Sequence, residues 1–105
     1  MNYYGFDGQP ISQDEWLRLF NDIGERRVAY DELGPYIVST VWLGLDHSFG
    51  HGPPLIWETI VMDAEGNASE MLRSATRDRA VENHAEMLER YSVFGRSEEW
   101  AHEDT

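Results

Sequence analysis

Ser39-Thr40-Val41-Trp42-Leu43-Gly44-Leu45-Asp46-His47 and Leu55-Ile56-Trp57-Glu58-Thr59-Ile60-Val61-Met62-Asp63 are the stretch that decides the fold. Between them lies the break Ser48-Phe49-Gly50-His51-Gly52-Pro53-Pro54. Both flanking runs are rich in β-branched and aromatic residues, and glycine and proline punctuate the break, so the stretch reads as a β-hairpin. Its first strand begins at Tyr36, after a turn at Leu33-Gly34-Pro35. If Leu45 pairs near Leu55, one face carries Ile37, Val41, Leu43 and Leu45 with Leu55, Trp57 and Val61. The other face then carries Val38, Thr40 and Trp42 with Ile56, Glu58, Ile60 and Met62. Both faces are apolar enough to require cover, from helices, from the N-terminal segment or from a second copy of the chain.

Working outward, Val28 and Tyr30 alternate with polar neighbours ahead of the hairpin. After it, Ala64-Glu65-Gly66-Asn67 turns the chain into a weaker, edge-like strand over Ser69 to Ser74. Ser12-Gln13-Asp14-Glu15 fits a capping box, and Trp16, Leu19, Phe20 and Ile23 follow at helical spacing, with Gly24 as the stop. Thr76 caps a second helix at Arg77 to Tyr91, whose one side carries Ala80, His84, Met87, Leu88 and Tyr91. Residues 1–10 read as an irregular aromatic arm lying across the domain. Residues 92–105 read as an acidic, loosely held tail onto which Phe94 and Trp100 can dock. The expected fold is α+β: an antiparallel four-stranded meander flanked by an N-terminal and a C-terminal helix, in the order α-β-β-β-β-α, as one domain over 1–105.

The chain has 105 residues, 41% hydrophobic and 12% aromatic, with four tryptophans, which is enough material for a two-layer domain. No apolar run approaches the roughly 20 residues that span a bilayer, and Met1-Asn2-Tyr3-Tyr4-Gly5 lacks the basic and apolar regions of a signal peptide. A cytoplasmic protein with no membrane partner is expected. The absence of cysteine removes disulfides, thiolate metal sites and a cysteine nucleophile. Twenty acidic residues against eight basic ones give a net charge of −12. All eight are arginine, and acids flank them: Glu25 and Asp31 beside Arg26-Arg27, Glu70 and Asp78 beside Arg73, Arg77 and Arg79. Direct nucleic-acid binding needs clustered positive charge, so it is disfavoured. A solvated acidic surface is the plainest meaning of this charge, and attraction to basic protein surfaces is the functional one.

The candidate chemistry sits around the hairpin. Asp46, His47 and His51 gather at its loop, and two imidazoles with a carboxylate have the donor types for zinc or another divalent ion. His-x-x-x-His shares a face only on a helix, and here it lies in a loop. Glu58 stands roughly 10 Å along the strand from that loop, at about 3.3 Å per residue. Mid-strand among apolar neighbours, it needs an Arg or His partner and reads as a structural ion pair before a catalytic carboxylate. His84 reads as a core-edge histidine bonded to backbone. No serine lies in a nucleophile elbow, and the prolines of the loop remove the N–H donors a phosphate cradle needs.

Ser39 to His47, Phe49-Gly50, Gly52-Pro53-Pro54-Leu55-Ile56 and Glu58-Thr59 resemble a family of small proteins from actinobacteria and their phages. Tyr3-Tyr4-Gly5-Phe6-Asp7-Gly8, Pro10-Ile11, Glu15-Trp16 and the Ala80 to His84 segment are similar too, so the likeness spans most of the chain. It implies a bacterial or phage source and no particular activity. Position 51 varies in that pattern, which weighs against a two-histidine metal site, and Trp57 and Met62 stand where it usually has Phe.

The functional expectation is a small acidic protein-interaction or regulatory protein, acting on a host or phage protein and, in its most concrete form, mimicking nucleic-acid charge. The expected interaction surface comprises Phe49, Pro53, Pro54, Trp42 and Glu58, with no cofactor and with a homodimer as an option. The alternative is a small metal-binding or metal-dependent hydrolytic domain using Asp46, His47 and His51.

Overall fold

The computed structural model describes residues 2–46 and 52–94. Its centre is a four-stranded antiparallel sheet of β3 (Arg27–Leu33), β4 (Tyr36–Trp42), β5 (Trp57–Met62) and β6 (Ala68–Ser74), in that order across the sheet. The meander follows from its turns. Gly34 adopts φ +59° between β3 and β4, and between β5 and β6 the Asp63 carboxylate accepts the N–H groups of Glu65 and Asn67 beside Gly66 at φ +85°.

The hairpin exists, but its register differs from the sequence expectation. Trp42 lies opposite Trp57, Thr40 opposite Thr59 and Val38 opposite Val61, so these six share one face. Trp57 and Val61 therefore leave the group to which the Leu45–Leu55 pairing assigned them. Leu45 instead bridges Tyr3, and the N–H groups of Leu43 and Gly44 both point to the Ile56 carbonyl at 2.7 and 3.3 Å. Register is dictated by which alternate residues are buried, and a one-residue slip exchanges the faces. A long connection imposes none of the constraint a two-residue turn would, so the cover above the sheet makes the choice.

That cover is α3 (Arg77–Arg90), capped by the Thr76 hydroxyl, which accepts from the Arg79 N–H at 3.1 Å. Its inward side buries Ala80, Asn83, His84 and Met87. Two hydrophobic clusters result: Val38, Val61, Met87 and Tyr91 at one end, and Trp42, Ile56, Trp57 and Ala80 at the other.

The N-terminal region is more regular than an arm. Tyr3–Tyr4 (β1) pairs antiparallel with Pro10–Ile11 (β2) around Gly8 at φ +80°. Helix α1 (Gln13–Phe20) follows, then a one-turn helix α2 (Ile23–Arg26). The order is thus β-β-α-α-β-β-β-β-α, in place of α-β-β-β-β-α. Ser12 accepts from the Glu15 N–H at 3.2 Å, but the Glu15 carboxylate turns to Arg18 and does not close the capping box. That pairing holds the Glu15 carboxyl below its usual range. Gly24 lies inside α2 because Asp22 caps a new turn, accepting from the Glu25 N–H. Ile23 consequently points outward, 56% exposed, while Trp16, Leu19 and Phe20 pack on the tryptophan cluster.

Gly44 fixes this docking. At φ +72° its carbonyl accepts from the Tyr4 N–H at 2.9 Å, and the adjacent Leu43 carbonyl accepts from the Trp16 indole at 2.9 Å. An added Cβ would stand 2.5 Å from the Trp42 ring and 2.6 Å from that of Trp16. Only glycine allows both the conformation and the approach.

Candidate functional site

At the base of the hairpin loop, Asp46 accepts the Leu55 N–H at 3.0 Å, tying the two sides of the break together. His47, Phe49 and His51 lie outside the described residues, as does Trp100. Among the described residues no group of three or more His, Asp or Glu side chains is placed to hold a metal ion. Pro53 is exposed and Pro54 half-buried. Phe94 docks against Tyr36 and Tyr91, with ring centroids 4.7 and 5.8 Å away.

Trp42 is fully buried and belongs to the core, not to an interaction surface. It meets Phe6 edge-on at 4.7 Å. Strand alternation puts Trp42 on one face with Val38 and Thr40 but does not say which face α3 and the N-terminal aromatics will cover. Glu58 faces the opposite way, directly across from Arg73, with 3.4 Å between the carboxylate and Nε. Its side chain is 16% exposed, and the arginine supplies the counter-charge its position calls for.

Glu58 lies on a sheet face that no described helix covers. From edge to edge the register gives Tyr30 and Glu32, then Ile37, Ser39 and Val41, then Glu58, Ile60 and Met62, then Met71 and Arg73. Ile37, Val41, Ile60 and Met62 are half-buried, while Tyr30 and Met71 are 41% and 42% exposed. The side chains by which α1 and α3 join the core, Trp16, Leu19 and Phe20 from one and Ala80, Met87 and Leu88 from the other, pack on the other face. An apolar face of this extent on a strongly charged chain is a surface that gains by association.

Beneath α3 lies a polar seam. The Thr40 and Thr59 hydroxyls are 2.7 Å apart, Thr40 Oγ1 is 2.8 Å from His84 Nδ1, and His84 Nε2 is 2.8 Å from Asp31 Oδ2. The carboxylate only accepts, so Nε2 carries a proton, and in the neutral ring Nδ1 then accepts from Thr40, which can accept from Thr59. The partners of His84 are therefore side chains of β3 and β4, not backbone. Hydroxyl, imidazole and carboxylate in a row resemble a nucleophilic triad, but Thr40 is wholly buried mid-strand under α3 and no substrate can reach it. The seam is structural. Sequence reasoning missed it, although Thr40, Thr59 and His84 each put a polar group on an otherwise apolar stripe.

The chain matches no protein-family model, no curated protein and no solved structure in these comparisons. No helix among the described residues is long and apolar enough to cross a membrane.

Proposed function

We propose that this is a small acidic interaction protein that binds a basic protein partner through the open face of its sheet. The observation that carries the reading is the apolar face centred on Ile37, Val41, Ile60 and Met62, which no helix among the described residues covers. Association would bury side chains that the fold itself leaves half-exposed, each such burial being worth roughly 1 kcal/mol. The net charge of −12 selects a partner of opposite sign and repels a second copy. Mimicry of nucleic-acid charge would use a second surface, the outer side of α3, which lies across the sheet from the open face. There Asp78, Glu82, Glu86 and Glu89 are all exposed, the first three at four-residue intervals of about 6 Å along the axis. The resemblance of the hairpin is the support for an actinobacterial or phage setting.

The test is affinity capture from an actinobacterial lysate with wild-type protein and with Ile60→Lys. A basic protein retained by the wild type, released by raised salt and lost from the variant is the expected result. Identical captures by both proteins, with the variant folded by circular dichroism, would overturn the reading.

A further inference from the structure

Between β3 and α3 runs a cleft of about 420 Å³ lined by Val28, Ala29, Arg77, Val81, His84, Ala85 and Leu88. Two features of the backbone create it. Val28 and Ala29 are consecutive in a strand yet both line the cleft, which regular alternation forbids. The register shift between Arg27 and Ala29, where Arg27 opposes Val41 and Ala29 opposes Thr40, inserts Val28 as a bulge and permits it. On the helix side, positions 77, 81, 84, 85 and 88 form one stripe at helical spacing, so a single side of α3 faces the bulge. No larger side chain fills the space between them, and Val81 is 43% exposed.

The cleft is apolar along its length and cationic at one end. Among the described arginines, Arg18, Arg73, Arg79 and Arg90 each pair with a glutamate. Arg26 bonds the Trp42 carbonyl and lies over Phe20, and Arg27 lies over Tyr30. Arg77 alone among them has no carboxylate, carbonyl or ring partner, in a chain where acids outnumber arginines by twenty to eight. At the floor, both ring nitrogens of His84 are engaged by Thr40 and Asp31. The histidine therefore offers a ring edge and no free donor, and the guanidinium is the polar group left to orient a ligand.

We infer that this cleft binds a small amphipathic carboxylate, with the chain along Val28, Val81, Ala85 and Leu88 and the carboxylate on Arg77. The volume lies within the range of about 300 to 1,000 Å³ typical of small-molecule sites. A guanidinium that no described carboxylate engages is free to take a carboxylate by two parallel N–H···O bonds. The site is separate from the open sheet face, which lies on the other side of the sheet.

Octanoate is the probe, titrated below its micellar concentration while the methyl resonances of Val28, Ala29, Val81, Ala85 and Leu88 are followed by NMR. Saturable shifts at these methyls are expected, with affinity rising about fourfold per added methylene from hexanoate to octanoate. Octan-1-ol should bind about tenfold more weakly, and Arg77→Gln should lose octanoate affinity by a similar factor, the worth of one charge-assisted pair. Arg79→Gln, whose native side chain pairs with Glu82 outside the cleft, should bind as the wild type does. Val81→Trp should fill the cleft and abolish the shifts. The inference falls if no saturable shift appears, if Arg77→Gln binds octanoate as tightly as the wild type, or if the shifts concentrate at Ile37, Val41 and Ile60.

Discussion

The two ends of the core under α3 are built differently. At one end Val38 and Val61 meet Met87 and Tyr91, and one helix with its following turn closes the space. At the other, Trp42, Ile56, Trp57 and Ala80 are closed by Tyr4, Phe6, Ile11, Trp16, Leu19 and Phe20, drawn from β1, β2, the turn between them and α1. The first end satisfies its polar atom: the Tyr91 hydroxyl donates to Glu70 at 3.0 Å. The second leaves the indole N–H groups of Trp42 and Trp57 buried without an acceptor among the described residues. The Thr40–Thr59–His84–Asp31 seam divides the two. An aromatic end assembled from distant segments has large area to bury and many constraints on how it does so. The smaller end works with less area and better polar matching.

The sharpest difference should appear on truncation. Trp42→Ala is expected to cost about 4 kcal/mol in urea unfolding, and Val38→Ala at the other end about 2 kcal/mol. Equal losses at the two ends would show that the N-terminal cover adds nothing to the tryptophan cluster. Gly44→Ala comes next, at about 2 to 3 kcal/mol, because it adds left-handed strain to a collision with two indoles. A stability close to that of the wild type would mean that β1 and α1 can redock around a side chain. In the seam, His84→Leu removes the Nδ1 partner of the Thr40 hydroxyl, which keeps only Thr59, and the Nε2 partner of Asp31, for a loss of about 2 kcal/mol. A double-mutant cycle with Thr40→Val should return a coupling of about 1 kcal/mol, and a coupling near zero would dissolve the seam into independent groups.

The smallest effect sits at the Tyr91 end. Tyr91→Phe should cost about 1 kcal/mol at neutral pH. Burial, reinforced by the bond to Glu70, raises the Tyr91 phenol above its ordinary value. The folded state thus favours the protonated form. That contribution is complete below the unfolded value of about 10 and is lost as pH rises through the folded one. Stability of the wild type should accordingly fall above about pH 10 more steeply than that of Tyr91→Phe, and parallel curves would remove the group from the alkaline transition.

The legible parts of the fold were those with a local cause. The Ser12 and Thr76 caps, the turns at Gly34 and Gly66, the strand from Tyr36, the apolar run from Leu55 that contains β5 and the long C-terminal helix all announce themselves within a few residues. Asp22 also caps a helix, but Gly24 two residues later reads as a terminator, and the cap was missed. The Tyr3–Ile11 hairpin was missed because its strands are two residues each and take part of their support from Leu45, which is remote in sequence. For the surfaces, an acidic charge and a sheet with two apolar faces were readable. Which face stays open was not, since that turned on a register one residue different from the expected one. The cleft was invisible too, because a bulge has no reliable local signature and Arg77 is distinguished only by the partners it lacks.

Local propensity, capping and turn chemistry were enough to specify an α+β chain with a four-stranded meander and its C-terminal helix, because each acts over a few residues. The register of the hairpin, the partners of His84, the face left bare and the cleft beside Arg77 arose from contacts between segments far apart in sequence. Those contacts are settled by which alternate set of side chains can be buried together under α3 and the N-terminal aromatics. Pairwise packing of that kind has no counterpart in any single stretch of sequence.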